Sequence, residues 1–142
     1  MTRTLDLRRW LVALLLMLGC IAALPQARAQ MTGEFNTDIV ILDGALAQTV
    51  AATGRADQDA SRVAMEELYR LWRLFREKNF EGQASDPLFV PDMEKVEAKL
   101  FASSKLIDDG QLAAAREELQ AANLQLQAVR KRQPAAAKPA TY

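Results

Sequence analysis

Apolar residues recur every three to four positions along this chain and nowhere alternate, so helices are expected and strands are not. Four segments follow from that period. The first spans Thr37 to Thr53, with Asn36 or Thr37 as N-cap and Gly54 as the stop. Ile39, Leu42, Leu46, Thr49, Val50 and Thr53 share one face of it. The second starts behind Asp57 or Asp59 and ends near Asn79, with Ala60, Ala64, Leu68, Leu71, Trp72 and Phe75 turned inward. Arg62, Glu66, Arg70, Arg73, Arg76 and Glu77 fill its opposite side, as on the surface helix of a bundle.

Two prolines punctuate the stretch from Gly82 to Pro91, yet Phe80, Leu88, Phe89 and Val90 are too apolar for open solvent. This loop is expected to fold back over one end of the core. The third helix starts near Pro91 or Asp92 and ends at Asp109, with Met93, Val96, Leu100, Ser104 and Ile107 inward. Gly110 then supplies the left-handed residue of a tight turn. The fourth helix has the most regular stripe: Leu112, Ala115, Leu119, Ala122, Leu126 and Val129 step by three and four without a slip. Four helices joined by short, long and short connections predict an all-α fold, an up-down-up-down antiparallel four-helix bundle.

Ahead of the bundle lies a leader. Arg3, Arg8 and Arg9 precede an apolar run from Trp10 to Leu24, and Ala27-Arg28-Ala29 presents small residues where a signal peptidase reads. Residues 1–29 are therefore expected to be a cleaved signal peptide, residues 30–132 the bundle domain, and the Pro, Ala and Lys-rich residues 133–142 a disordered tail. Leu18-Gly19-Cys20 resembles a lipoprotein site, but the apolar run continues past it to a better cleavage site. The run is about fifteen residues where a spanning helix needs about twenty, so no stable membrane insertion is expected after cleavage. The periplasm is the expected compartment.

Processing changes the charge. The leader removes four of eighteen basic and one of eighteen acidic residues, leaving 14 against 17 and a net charge of −3. Arg130, Lys131, Arg132 and Lys138 crowd the C-terminus, so the folded body is nearer −7. A body of that sign repels phosphate backbones, which argues against nucleic acid as a partner.

Candidate chemistry is sparse. After Cys20 there is no cysteine, and there is no histidine at all, which removes thiol nucleophiles, imidazole bases and most transition-metal sites. Asp57 and Asp59 could open a calcium loop, but no glycine or distal glutamate follows on schedule, and helix capping is the better reading. Glu66-Glu67, Glu94, Glu97 and Glu117-Glu118 fall mostly on solvent faces, and no Glu-x-x-His exists for a di-metal site. In the run Tyr69-Arg70-Leu71-Trp72-Arg73-Leu74-Phe75-Arg76, helical geometry sends rings and arginines to different faces. Asp43 and Asn123 are expected at the boundaries of the inner faces. No catalytic, cofactor-binding or metal-binding residue is assigned, no cofactor is expected, and the chain is read as a non-enzyme.

The last hairpin, Asp108-Asp109-Gly110-Gln111-Leu112-Ala113-Ala114-Ala115-Arg116, and the order of helices and loops resemble the periplasmic cytochrome b562 family. The resemblance implies an exported four-helix bundle and, with it, electron transfer through haem. That family's haem ligands are a methionine on the first helix and a histidine late in the fourth. Here the first helix has no methionine after Met31, and Arg130 or a neighbour stands where the histidine would be. A cofactor- or metal-binding electron-transfer bundle is thus the second expectation for function.

The leading one rests on apolar residues outside the core stripes. Val40, Ile41, Val63, Leu74, Phe101, Leu106 and Leu124 all point away from their helix's inner face. Single exposed aliphatics are ordinary; seven on so small a bundle predict a contact surface for a periplasmic protein partner or a second copy in a homodimer. The expected role is that of an accessory subunit, adaptor or small chaperone.

Overall fold

The structure, a computed structural model, describes residues 24–83 and 85–133, with side chains from residue 34 onward. The leader as far as residue 23, Cys20 included, and the tail from residue 134 lie outside the described residues. Two compact units divide the chain, Met1–Glu34 with Ala136–Tyr142 and Phe35–Ala135. Of the first, only residues 24–34 are described. The second contains the whole of the described core.

Among the described residues there are four α-helices, α1 Leu24–Gly54, α2 Gln58–Asn79, α3 Phe89–Asp108 and α4 Leu112–Arg132, with a 3-10 turn at Glu81–Gln83. There is no strand among the described residues, so the all-α reading holds. One expectation fails at α1, which is already helical from Leu24. Asn36 and Thr37 are therefore interior positions and not caps. Pro25 occupies the first turn, where its missing N–H costs no hydrogen bond. Phe35, expected outside the helix, is fully buried in the core.

The connection after α1 turns on Ala56, whose φ of 56° is left-handed although it carries a Cβ. Asp57 then caps α2, its Oδ1 accepting from the Ala60 N–H at 2.9 Å. Gln58 reaches across and donates to the Ile107 carbonyl at 2.8 Å and the Asp108 carbonyl at 3.2 Å, tying the start of α2 to the end of α3. Gly110, with φ of 74°, makes the expected left-handed turn between α3 and α4.

The core runs through all four helices: Ile39, Leu42 and Leu46 from α1, Leu68 and Trp72 from α2, Met93, Val96 and Leu100 from α3, Leu119, Ala122 and Leu126 from α4. The predicted inner stripe of α4 is buried at every position save Leu112, which is half-buried against the same cluster. On α2 the buried stripe is Ser61, Met65, Leu68, Trp72, Phe75 and Asn79, so its first half is turned by one residue from the expected Ala60 and Ala64. Met65 covers more apolar area than Ala64, and Ser61 can be buried because its hydroxyl donates to the Asp57 carbonyl at 2.6 Å. A like shift puts Ser103, not Ser104, inward on α3, its hydroxyl donating to the Lys99 carbonyl at 2.7 Å.

An aromatic cluster closes one end. Phe35 meets Phe75 at 5.6 Å and Phe89 at 5.8 Å between ring centroids, and Phe80 meets Phe89 edge-on at 5.5 Å. The loop thus folds back through Phe80 and Phe89, as its composition required, while Leu88 and Val90 remain exposed. Arg132 fastens this end by bonding Asp92 at 2.7 Å and Asp86 at 3.4 Å.

Candidate docking surface

Ile41 and Leu74 line a shallow concavity of about 150 Å³ between α1 and α2, together with Leu71, Phe75, Asp38 and Lys78. Helical spacing on α1 puts Ile39 and Leu42 in the core and leaves Ile41 half exposed beside them. On α2, Phe75 is buried and Leu74, the next position back, stands out of the core at 50% exposure. The floor is therefore the outer edge of the hydrophobic core itself. One end is closed by a polar bracket: Lys78 pairs with Asp38 at 3.1 Å, and the Asn79 amide donates to the same carboxylate at 3.1 Å.

Val40 adjoins Ile41 on the outer face of α1, and Val63 stands eleven residues before Leu74, three turns along the same line of α2. Between them Arg70 donates two hydrogen bonds to Glu67, at 2.7 and 2.5 Å. The remaining predicted residues do not join this face. Phe101 and Leu124 are 70% and 69% exposed, on α3 and α4 respectively. Leu106 departs from the expectation, because it is half-buried and packs against the core beside α4's first turn.

Sequence reasoning missed Leu71 and Phe75 as the floor and Asp38 and Lys78 as the bracket, because the pairing of Ile41 with Leu74 exists only once two helices are laid side by side. The one local signal was the placement of Leu71 and Leu74 on either side of the buried Trp72.

Elsewhere several ionisable groups are tied into the framework. Trp72 donates its indole N–H to Glu97 at 3.2 Å, and Arg76 holds the same carboxylate at 2.9 Å while lying 5.4 Å from the Phe80 ring centre. Burial pushes the Asp43 carboxyl above its ordinary value against the pull of Arg130, which pairs with it at 3.2 Å. Lys95's hydrogen bond draws the Asp92 carboxyl below its ordinary value, burial opposes this, and Arg132 adds to the lowering. Burial, with Glu97 nearby, raises the Tyr69 hydroxyl, which has no hydrogen-bond partner. These groups are spread over all four helices.

Among the described residues no cluster of acidic, histidine or cysteine side chains could hold a metal ion. No described helix is long and apolar enough to cross a membrane. Comparison with protein-family models, with curated proteins and with solved structures found no match.

Proposed function

We propose that this chain is an exported, periplasmic, non-catalytic helical bundle that works by binding protein, as an accessory subunit, adaptor or small chaperone. The observation that carries the reading is the groove at Ile41 and Leu74, an apolar concavity on a helical surface whose polar groups are already engaged in framework contacts. A groove of this kind accepts an apolar side chain, and its two ionisable residues, Asp38 and Lys78, are paired with each other. The leader arginines, the apolar run and the Ala27-Arg28-Ala29 site support export.

We also assign the helices to an up-down-up-down antiparallel bundle. Four cross-helix contacts support it. Lys78 near the end of α2 meets Asp38 in α1, and Arg62 near the start of α2 meets Asp108 at the end of α3 at 3.2 Å. Arg132 at the end of α4 meets Asp92 early in α3, and Arg116 early in α4 lies against Gly54 at the end of α1.

Single replacement of Ile41 or Leu74 by Ser tests the reading. A half-exposed aliphatic contributes little to folding, so helical content and melting temperature should change little. Binding should weaken by the apolar area removed from the complex, at about 25 cal/mol per Å². Loss of the bundle's stability in both variants, with no separate loss of binding, would make these residues core and end the docking interpretation.

A further inference from the structure

From residue 37 to its end, the outer face of α1 carries no charge. Every exposed side chain from residue 37 to residue 54 is uncharged, including Val40, Ile41, Gly44, Ala47, Gln48 and Ala51. The two acids in that stretch are turned to the flanks, Asp38 against Lys78 of α2 and Asp43 against Arg130 of α4. Among the described helices no other presents such a face: α2 shows Glu67 and Arg70, α3 shows Glu94 and Lys105, α4 shows Glu117 and Lys131. A surface helix ordinarily keeps charge on its outer side for solvation.

We infer that this face, continued over Leu74 and Val63 of α2, is where a second copy of this chain docks, packing α1 against α1 about a twofold axis. The inference rests on the protein-binding reading above and names its occupant. A twofold contact sets the same patch against itself, so any net charge on the patch would meet its like. The α1 part of the patch has none of its own, the charges between Val63 and Leu74 on α2 pair with each other, Glu67 with Arg70, and Asp38 at the border pairs with Lys78. A charged partner would find nothing on α1 to complement, and an anionic lipid surface would find no cation there.

The small residues fit the same occupant. Val40, Gly44, Ala47 and Ala51 step by four, three and four along one line, the spacing of a helix-helix seam. A Cβ added at Gly44 would meet nothing within 4 Å, so the backbone there is open to close approach by another helix. From residue 37 to residue 54 the face is about 26 Å long, and with α2 alongside it is about 20 Å wide at ordinary helix spacing. That is roughly 500 Å² in projection per copy, at the lower edge of what a specific interface needs. The expected dimer is weak and reversible.

Sedimentation velocity on the protein, expressed with its leader and purified after processing, tests this from about 1 to about 300 µM. The wild type should pass from monomer to dimer. Ala47→Glu, an exposed change to a good helix former, should leave the circular dichroism unaltered and weaken association by about tenfold or more, because like carboxylates then face each other. Mixing Ala47→Glu with Ala47→Lys should restore the dimer as a heterodimer, and Leu124→Glu on α4 should have no effect. A wild type that stays monomeric throughout, or a dimer indifferent to Ala47→Glu, overturns the inference. If the monomer instead cross-links from position 41 or 74 to a different protein, the second-copy inference falls while the protein-binding reading stands. A monomer that cross-links to nothing ends both.

Discussion

Leu119 and Leu124 allow the packing account to be tested by one chemical change at two sites on one helix. Leu119 is fully buried at the middle of α4 and Leu124, five residues on, is 69% exposed. Leu→Ala removes about three methylene equivalents, worth about 2.4 kcal/mol of transfer free energy when all are buried. At Leu119 a residual cavity adds to this, because α3 contacts α4 along its length and cannot collapse freely onto the gap. The total should fall at about 3 to 5 kcal/mol. At Leu124 less than a third of the side chain is covered, so the loss is at most about 0.7 kcal/mol, and the better helix propensity of Ala offsets part of that. Urea unfolding followed by circular dichroism reads both. With a slope of about 1 to 1.5 kcal/mol per molar for a domain of this size, Leu119→Ala should lower the midpoint by at least about 2 M and Leu124→Ala should barely move it. Equal shifts at unchanged slope would refute the assignment of α4's inner face.

Three further substitutions probe the backbone and two carboxylates. Ala56→Gly should stabilise the fold by about 0.5 to 1 kcal/mol in the same melts, since the left-handed φ of 56° strains any Cβ; destabilisation would mean the turn is not left-handed in solution. Asp92, held below its ordinary value, contributes stability that is present above the unfolded carboxyl value of about 3.9 and is lost as pH falls through the lower folded value. Asp92→Asn should therefore cost about 1 kcal/mol at pH 7 and progressively less below about pH 4. Asp43 is held above its ordinary value, so its sign is opposite. Its charged form weakens the fold at neutral pH and relief comes as pH falls through the raised value, so Asp43→Asn should be neutral or stabilising at pH 7 and lose that advantage on acidification. A large loss for Asp43→Asn at pH 7 would contradict the dominance of burial over the Arg130 pair.

How much of this was legible from sequence depended on whether one residue type dominated each face. On α4 the alternation of Leu and Ala with Glu and Gln leaves a single reasonable stripe, and Ala115 through Val129 are buried as read. On α2 the choice between Ala64 and Met65, or Ala60 and Ser61, turns on packing volume and on a hydroxyl's local hydrogen bond, neither of which periodicity weighs. The start of α1 was misjudged because Asn36 and Thr37 are good caps in isolation, whereas the burial of Phe35 and Ile39 favours continuing the helix through them. Exposure of Val40, Ile41, Val63, Leu74, Phe101 and Leu124 followed residue by residue from helical geometry. Leu106 did not, because it is partly buried against the core cluster. The groove between Ile41 and Leu74 could not be read at all, since it depends on which helices are neighbours and at what height.

The central claim, that the α1 and α2 face is a protein-binding surface, is tested most directly by a photo-reactive amino acid placed at Leu74 and, as a control, at the exposed Glu117 of α4. Irradiated in intact cells, the position-74 protein should give a discrete cross-linked species, identified by mass spectrometry as a second copy or a defined partner, and the position-117 protein should not. Discrete products from position 117 with none from position 74 would contradict the account.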